Sequence, residues 1–140
     1  MQRLQDIAIK VETPEGTQTS HGNALPIMHE IHHALQRFSA EGEQSCIDLR
    51  SLPFGPGDEE ELLRLLGRGE INVTMDALGE STIWETAFSG VWVVDHRNAE
   101  GERVALQIEI GSVPQIVFSQ QEDIVDAIDR LEEQLGLTGP

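Results

Sequence analysis

The chain has 140 residues, and its 9 Lys plus Arg against 25 Asp plus Glu give a formal net charge of −16. A chain of this length forms one core and has no room for a second full domain. The charge repels nucleic acid and anionic membranes, so it favours cations or neutral and basic protein surfaces as partners. No apolar run reaches the roughly 18 residues of a membrane span or forms a signal-peptide core, so we expect a soluble, cytoplasmic protein. The single cysteine, Cys46, excludes an intramolecular disulfide.

The N-terminal residues 1–21 are mostly polar, with three alternating apolar residues that predict an arm or an edge strand. The domain proper is expected over 22–137. It begins with a helix predicted over 23–39, where Asn23 can cap the first turn. The buried stripe of that helix is expected to consist of five residues at helical spacing, namely Leu25, Met28, Ile31, Leu35 and Phe38.

A short apolar run predicts a strand over 45–49. A segment rich in Pro and Gly follows, and a helix is predicted over 58–67, where Asp58 and Glu61 have the spacing of a capping box. A helical connection between two strands normally leaves them parallel, so we expect the strand over 45–49 to run parallel to the next strand and the sheet to be mixed.

Four further strands are predicted over 70–76, 81–88, 91–97 and 103–110. The turns between them are short, and short turns require antiparallel neighbours. The run Val91-Trp-Val-Val94 is apolar on both faces, which indicates an interior strand. The last strand alternates cleanly, with Val104, Leu106, Ile108 and Ile110 on one side.

The segment 111–118 has no clear assignment, because Pro114 disfavours a central strand while the residues after it are too apolar for a free loop. A capping box from Ser119 to Glu122 predicts a final helix over 120–136 with a periodic apolar stripe. The fold class is therefore α+β: a single compact domain with a mixed, mostly antiparallel sheet of about five strands and about three packing helices.

Three histidines on the first helix, His29, His32 and His33, share one side, and the segment from His29 to His33 has the H-E-x-x-H pattern of zinc proteases. Such an enzyme also needs a third ligand and a cleft, for which the chain is small. The alternative is that these histidines have no ligand and simply lie on the solvated side of the helix. We therefore predict no metal and no cofactor, and keep a metallochaperone or small metalloenzyme that uses these histidines as the alternative function.

Other catalytic signals are weak. Nothing near Cys46 in the sequence activates its thiol, so it is expected to behave as a small hydrophobic residue. No serine has the context of a hydrolase nucleophile, and the Gly-Pro-Gly segment at 55–57 lacks the Lys of a phosphate-binding loop. The acidic final helix lacks the alternating ligands and central Gly of a calcium loop. We predict a protein without catalytic residues.

Trp84 and Trp92 lie on neighbouring strands of a predicted hairpin, and a two-residue turn directs their side chains to opposite faces of the sheet. Either both belong to the core or one of them centres a docking patch, since Trp and Arg are enriched at interfaces. Arg50 and the His96-Arg97-Asn98 segment place rare positive charge near loops.

Four ordered blocks resemble the HupH/HyaF hydrogenase expression and formation family: GNALPIMHEI at 22–31, IDLRSLPFGPGD at 47–58, ETAFSGVW at 85–92 and HRN at 96–98. The resemblance spans about residues 22–135. It implies an accessory protein in maturation of NiFe hydrogenases that acts on a subunit precursor or a cofactor-assembly complex. It supplies no set of catalytic residues.

An acidic domain without a nucleophile or phosphate cradle fits an assembly chaperone or scaffold that binds without catalysis. The expected partner is a hydrogenase subunit precursor or another maturation protein, and not nucleic acid or a membrane; the oligomeric state is left open. Loops on a rigid sheet commonly carry recognition. The expected docking residues are therefore Arg50, Pro53, Phe54, Asp58, Phe88, Trp92, His96 and Arg97.

Overall fold

The computed structural model describes residues 22–137 of the chain, so the arm or edge strand predicted over 1–21 lies outside the described residues. The helices and strands in chain order are α1 (Ala24–Glu41), β1 (Ser45–Asp48), α2 (Asp58–Leu66), β2 (Asn72–Asp76), β3 (Glu80–Glu85), β4 (Val91–Arg97), β5 (Arg103–Ile110) and α3 (Gln121–Leu135). Two 3-10 turns follow β1 and precede α3, at Leu49–Ser51 and Gln115–Val117.

The five strands form one sheet in the order β1-β5-β4-β3-β2, and every neighbouring pair is antiparallel. The α+β class, the five strands and the three helices are confirmed. The mixed sheet is wrong: β1 and β2 do run in the same direction, but they occupy opposite edges with three strands between them. The connection through α2 crosses the whole sheet, because the short hairpin turns leave β2 to β5 as consecutive neighbours.

Helices α1 and α2 pack on one face of the sheet. Their starts meet where the Asn23 Nδ2 group donates to Asp58 Oδ2 at 2.8 Å. The buried side of α1 is Ala24, Ile27, Ile31 and Ala34. The predicted stripe was therefore set about one residue off: Ile31 is buried, three of its members are partly buried, and Leu25 is exposed.

Strand β4 is buried on both faces, as its continuous apolar run predicts. Trp84 faces the helices with Val93, whereas Trp92 belongs to a separate cluster on the opposite face with Ile83 and Val94. The opposite orientation of the two tryptophans is confirmed, and both side chains are buried.

Two details of the strands and caps differ from expectation. Val104 is exposed, because a bulge opposite His96 and Arg97 shifts the register and leaves it out of the inward-facing row. Neither capping box forms: α2 starts after Gly57 and α3 after Gln120, in both cases without a side-chain cap. Asn23 precedes α1, but its side chain bonds Asp58 and Pro53 rather than the helix backbone.

Candidate functional site

An open cleft of about 410 Å³ lies on the helix-bearing face of the sheet, between α2 and strands β3 to β5. Its lining includes three arginines and a tryptophan, although the chain as a whole carries a charge of −16. We call it the arginine cleft, defined by Leu63, Arg64, Gly67, Arg68, Thr82, Trp84, Asp95 and Arg103.

Asp95 organises one wall of the arginine cleft. Its two carboxylate oxygens accept hydrogen bonds from Arg103 Nε at 3.2 Å and Nη2 at 3.3 Å, and Arg97 Nη2 donates to Oδ2 at 3.0 Å. Burial by itself raises the pKa of Asp95, but the hydrogen bonds and positive charges of Arg103 and Arg97 outweigh it and hold that pKa below its usual range. Asp95 is thus an ionised carboxylate that fixes two guanidinium groups.

The opposite wall is formed by α2 and the residues after it. The Arg68 guanidinium carbon lies 3.9 Å from the centre of the Trp84 ring, a cation–π geometry. Arg68 Nη1 also donates to Asn72 Oδ1 at 3.2 Å, and within residues 22–137 it has no carboxylate partner. Arg64 is held by a two-point contact with Glu61, at 3.0 and 2.7 Å.

Positive charge is concentrated around this cleft. Five of the seven arginines within residues 22–137 lie in it or at its rim: Arg50, Arg64, Arg68, Arg97 and Arg103. Arg103 also donates to Glu59 at 2.8 Å, so its charge is shared between two carboxylates. A flat guanidinium on an aromatic ring next to further arginines suits binding of a carboxylate group from a partner.

Three of the predicted docking residues lie together after β1. Arg50 Nη1 donates to the Arg103 backbone oxygen at 2.6 Å, which places it at the rim of the cleft. Pro53 is exposed, and its carbonyl accepts from Asn23. Phe54 is half-buried and packs against the core.

Asp58 is buried and plays a structural part rather than facing solvent. Its Oδ2 atom accepts from the Gly55 backbone N–H and from Asn23 Nδ2, both at 2.8 Å. These bonds tie the loop before α2 to the start of α1. A carboxylate used in this way is not presented to a partner.

The predicted residues on β4 and its hairpin are split between the two ends of the sheet. Arg97 lies at the end of the sheet where β4 ends and β5 begins; it also donates to the Gly101 carbonyl at 3.1 Å, and His96 Nδ1 lies 3.3 Å from Ser81 Oγ. Phe88 is 46% exposed at the opposite end, before the start of β4. The seven residues of β4 separate the two ends by about 20 Å.

Trp92 is 4% exposed, and its Nε1–H donates to the Gly111 carbonyl at 3.0 Å. Its hydrogen bond and burial make it a core residue of the second face. The structure therefore brings Arg50, Pro53, His96 and Arg97 to one end of the sheet, places Phe88 at the other end, and withdraws Asp58 and Trp92 from the surface.

The histidines of α1 are exposed on the helix, with the rings of His32 and His33 centred 5.7 Å apart. Within residues 22–137, no three His, Cys, Asp or Glu side chains converge as metal ligands would. Cys46 is exposed on the edge strand β1. Although the residue is exposed overall, the protein around its thiol partly desolvates it, and this effect together with the charges of Glu109 and Asp48 raises the thiol pKa and disfavours the reactive thiolate.

Sequence reasoning missed most of the arginine cleft. Asp95 carried a usable signal, since a carboxylate directly after the apolar run Val91–Val94 needs partners when that strand is interior. The contact of Arg68 with Trp84 leaves no local signal, because it forms only when the segment before β2 pairs with the end of β3, where Gly69 N–H donates to the Glu85 carbonyl.

Comparisons with known proteins identify the family. The family described as "HupH hydrogenase expression protein, C-terminal conserved region" matches residues 22–138. The chain belongs to this family. A solved structure of the hydrogenase expression protein HupH from Thiobacillus denitrificans is 44% identical and superposes with a TM-score of 0.80, covering 84% of this chain and 98% of that one.

Curated relatives carry matching names. The hydrogenase expression/formation protein HoxQ of Azotobacter vinelandii is 32% identical over 124 residues, which is 87% of this chain and 42% of the relative. The hydrogenase-1 operon protein HyaF of Escherichia coli K12 is 31% identical over 111 residues, or 79% of this chain and 38% of HyaF. The chain thus spans less than half the length of these relatives. None of the helices within residues 22–137 combines the length and apolar composition needed to cross a bilayer.

Proposed function

We propose that this HupH-family protein is a non-catalytic accessory protein of NiFe hydrogenase maturation. It acts as an assembly chaperone or scaffold that binds a hydrogenase subunit precursor or the complex that assembles its cofactor. The family match over residues 22–138 is the observation that carries this proposal. The relatives' names, hydrogenase expression and formation proteins, support the same role.

The arginine cleft and its rim are the proposed docking surface. Arg68 on the Trp84 ring supplies a guanidinium without a carboxylate partner among residues 22–137. Trp84 pairs with Val93 near the start of β4, and the predicted residues Arg50, Pro53, His96 and Arg97 lie toward the other end of the cleft, on the side of Asp95 and Arg103. A carboxylate of the partner would bind Arg68, and the rest of the partner would follow the cleft toward Arg50, Pro53, His96 and Arg97. Phe88 follows Ala87, whose backbone N–H donates to the Leu66 carbonyl at 2.9 Å, so it lies near the Gly67 and Arg68 end of the cleft and about 20 Å from Arg97 along β4.

The chemistry of the cleft supports binding rather than catalysis. Asp95 is ionised and bound by two arginines, so it is a poor proton donor or acceptor near neutral pH. Arg64 and Arg103 are themselves held by Glu61, Asp95 and Glu59. These groups hold one another in place, which favours a rigid recognition surface.

A pulldown with hydrogenase large-subunit precursor tests the proposal. Arg68→Glu reverses the charge that stacks on Trp84, and we expect it to reduce capture of the precursor at least tenfold. Arg37→Glu makes the same charge change on an exposed residue of α1 and serves as the matched control. Arg50→Glu should give a smaller loss, since Arg50 lies at the rim.

Equal capture by wild type, Arg68→Glu and Arg50→Glu would reject the arginine cleft as the docking surface. Absence of capture by the wild-type protein, with correctly folded precursor, would reject the subunit precursor as partner. A maturation assay in a deletion strain complemented with the same variants then reports whether binding and hydrogenase formation fail together.

A further inference from the structure

The segment after β5 holds most of the exposed apolar surface of the described chain. Nine of the fourteen exposed large hydrophobic residues within 22–137 lie in it: Ile116, Val117, Phe118, Ile124, Val125, Ile128, Leu131, Leu135 and Leu137. Helix α3 has no buried residue at all. Contiguous apolar surface of this kind marks an interaction site in soluble proteins.

The spacing on α3 is that of a packing seam. Ile124, Ile128, Leu131 and Leu135 follow one another at intervals of four, three and four residues, the pattern with which a helix packs against a second helix. They are between 42 and 67% exposed. The seam is about 16 Å long at a rise of 1.5 Å per residue, and Val125 and Ala127 widen it. This is the anchor pattern of a helix that binds another amphipathic segment.

The charge on α3 selects the partner. The helix carries six carboxylates and one arginine: Glu122, Asp123, Asp126, Asp129, Glu132 and Glu133 against Arg130. At about 100° per residue, Glu132 borders the seam on one side and Asp123 lies farther around on the other. A second copy would bring a second set of carboxylates and a further charge of −16 against the first. Anionic lipid would be repelled for the same reason.

We propose that the α3 seam binds a basic amphipathic helix of a partner polypeptide, with the apolar residues in the interface and partner Lys or Arg side chains against the flanking carboxylates. This surface is separate from the arginine cleft, which has the opposite charge preference. The two sites could therefore hold an acidic and a basic region of one partner, or two different partners, at the same time.

Two synthetic peptides of 18 residues test the inference by fluorescence anisotropy. Both carry Leu at the seam spacing, and the remaining positions are Lys-rich in one and Glu-rich in the other. We expect the full chain to bind the basic peptide, with affinity that falls as salt is raised, and not the acidic one. Leu131→Ser should weaken binding at least tenfold.

Three control variants separate the apolar contribution of the seam to peptide affinity from the contribution of the carboxylates. Leu25→Ser makes the same substitution on α1 at a residue of similar exposure, 56% against 58%, and should leave affinity unchanged. The combined change of Asp123→Asn, Asp129→Asn and Glu132→Gln should flatten the salt dependence while the seam remains. Arg68→Glu should not affect the peptide, so failure here is distinct from failure of the cleft.

Two results would overturn the inference. One is that the affinities show no selectivity: the wild-type chain binds the basic and acidic peptides equally, or the wild type and Leu131→Ser bind the basic peptide equally. The other is a dimer in sedimentation velocity that Leu131→Ser abolishes, since that would make a second copy the occupant of the seam. Circular dichroism should show every variant folded, because no residue of α3 is buried in the described chain and Leu25 and Arg68 are exposed.

Discussion

Helices α1 and α3 are both amphipathic, but only α1 is covered by the rest of the described chain. Four residues of α1 are buried against the sheet and α2, whereas α3 buries none. The apolar spacing predicted both helices correctly. It could not show that the surface complementary to α3 would be missing from residues 22–137. A periodic stripe indicates that a helix has a partner, and does not indicate where that partner lies.

The largest difference between the two helices should appear on truncating one isoleucine in each. Ile31 is 4% exposed and Ile128 is 50% exposed. We expect Ile31→Ala to lower the free energy of unfolding by about 2–5 kcal/mol, since it removes core contacts and leaves a cavity. Ile128→Ala should change it by less than about 0.5 kcal/mol.

Urea unfolding followed by circular dichroism measures both variants. Both variants replace Ile by Ala, so any difference in the free energy of unfolding reflects packing and not side-chain type. If Ile128→Ala destabilised the chain as much as Ile31→Ala, the α3 seam would have to be packed in solution, and the comparison between the helices would fail.

A smaller difference is expected for two aspartates. Asp95 is bound by two arginines in the sheet, whereas Asp129 is exposed on α3. Asp95→Asn should lower the free energy of unfolding by about 1.5–3 kcal/mol, the range for hydrogen bonds to charged groups, and Asp129→Asn should change it by close to zero.

The pH dependence follows from the lowered pKa of Asp95. Because its pKa is lower in the folded than in the unfolded state, Asp95 contributes stability above its unfolded pKa of about 3.9, and this is lost as the pH falls through the folded pKa. The stability difference between wild type and Asp95→Asn should therefore shrink below about pH 4. A difference that stayed constant down to pH 2 would contradict the ion-pair account.

The smallest effect should come from two glycines that end the helices in the same way. Gly42 after α1 and Gly136 after α3 have φ of 73° and 74°, and nothing lies within 4 Å of a Cβ added at either. Alanine at such a left-handed position costs about 1–2 kcal/mol.

For Gly42→Ala we expect this cost to appear as a lower midpoint of global thermal unfolding, because α1 is part of the core. For Gly136→Ala the midpoint should not move, and only the helical signal should fall slightly as the end of α3 frays. Equal shifts in the two midpoints would show that α3 unfolds together with the sheet.

Local patterns predicted most of the fold. Strands over 91–97 and 103–110 agree with β4 and β5 to the residue. The strand predicted over 81–88 ends at Glu85, and five residues separate it from β4, but the register keeps the predicted opposite orientation of Trp84 and Trp92. Local sequence patterns could not predict which strand pairs with β1. Its partner β5 is remote in the sequence, and the connection through α2 fits either an adjacent or a distant strand.

The candidate site was less predictable, because its key contacts join distant segments. Arg50 and Arg97 are predicted from their rare positive charge, and both lie at the end of the sheet where β4 ends and β5 begins. Trp92 is predicted from the enrichment of Trp at interfaces and Asp58 from its place at the end of the loop 50–58. Their buried hydrogen bonds depend on Gly111 and Asn23, which no local pattern links to them. The docking role of the exposed residues stays a prediction.

The placement of β1 has a consequence for the order of assembly. Each β1 residue pairs with one that follows it by 59 to 65 positions, from Asp48 with Gln107 to Ser45 with Ile110. Among the five strands of residues 22–137, β1 is synthesised first but pairs only with β5, which is synthesised last, while the three hairpins between β2 and β5 can close locally. Closing that long loop should be the late, slow step of folding, and a ribosome-bound chain stopped before residue 103 would carry an unpaired strand.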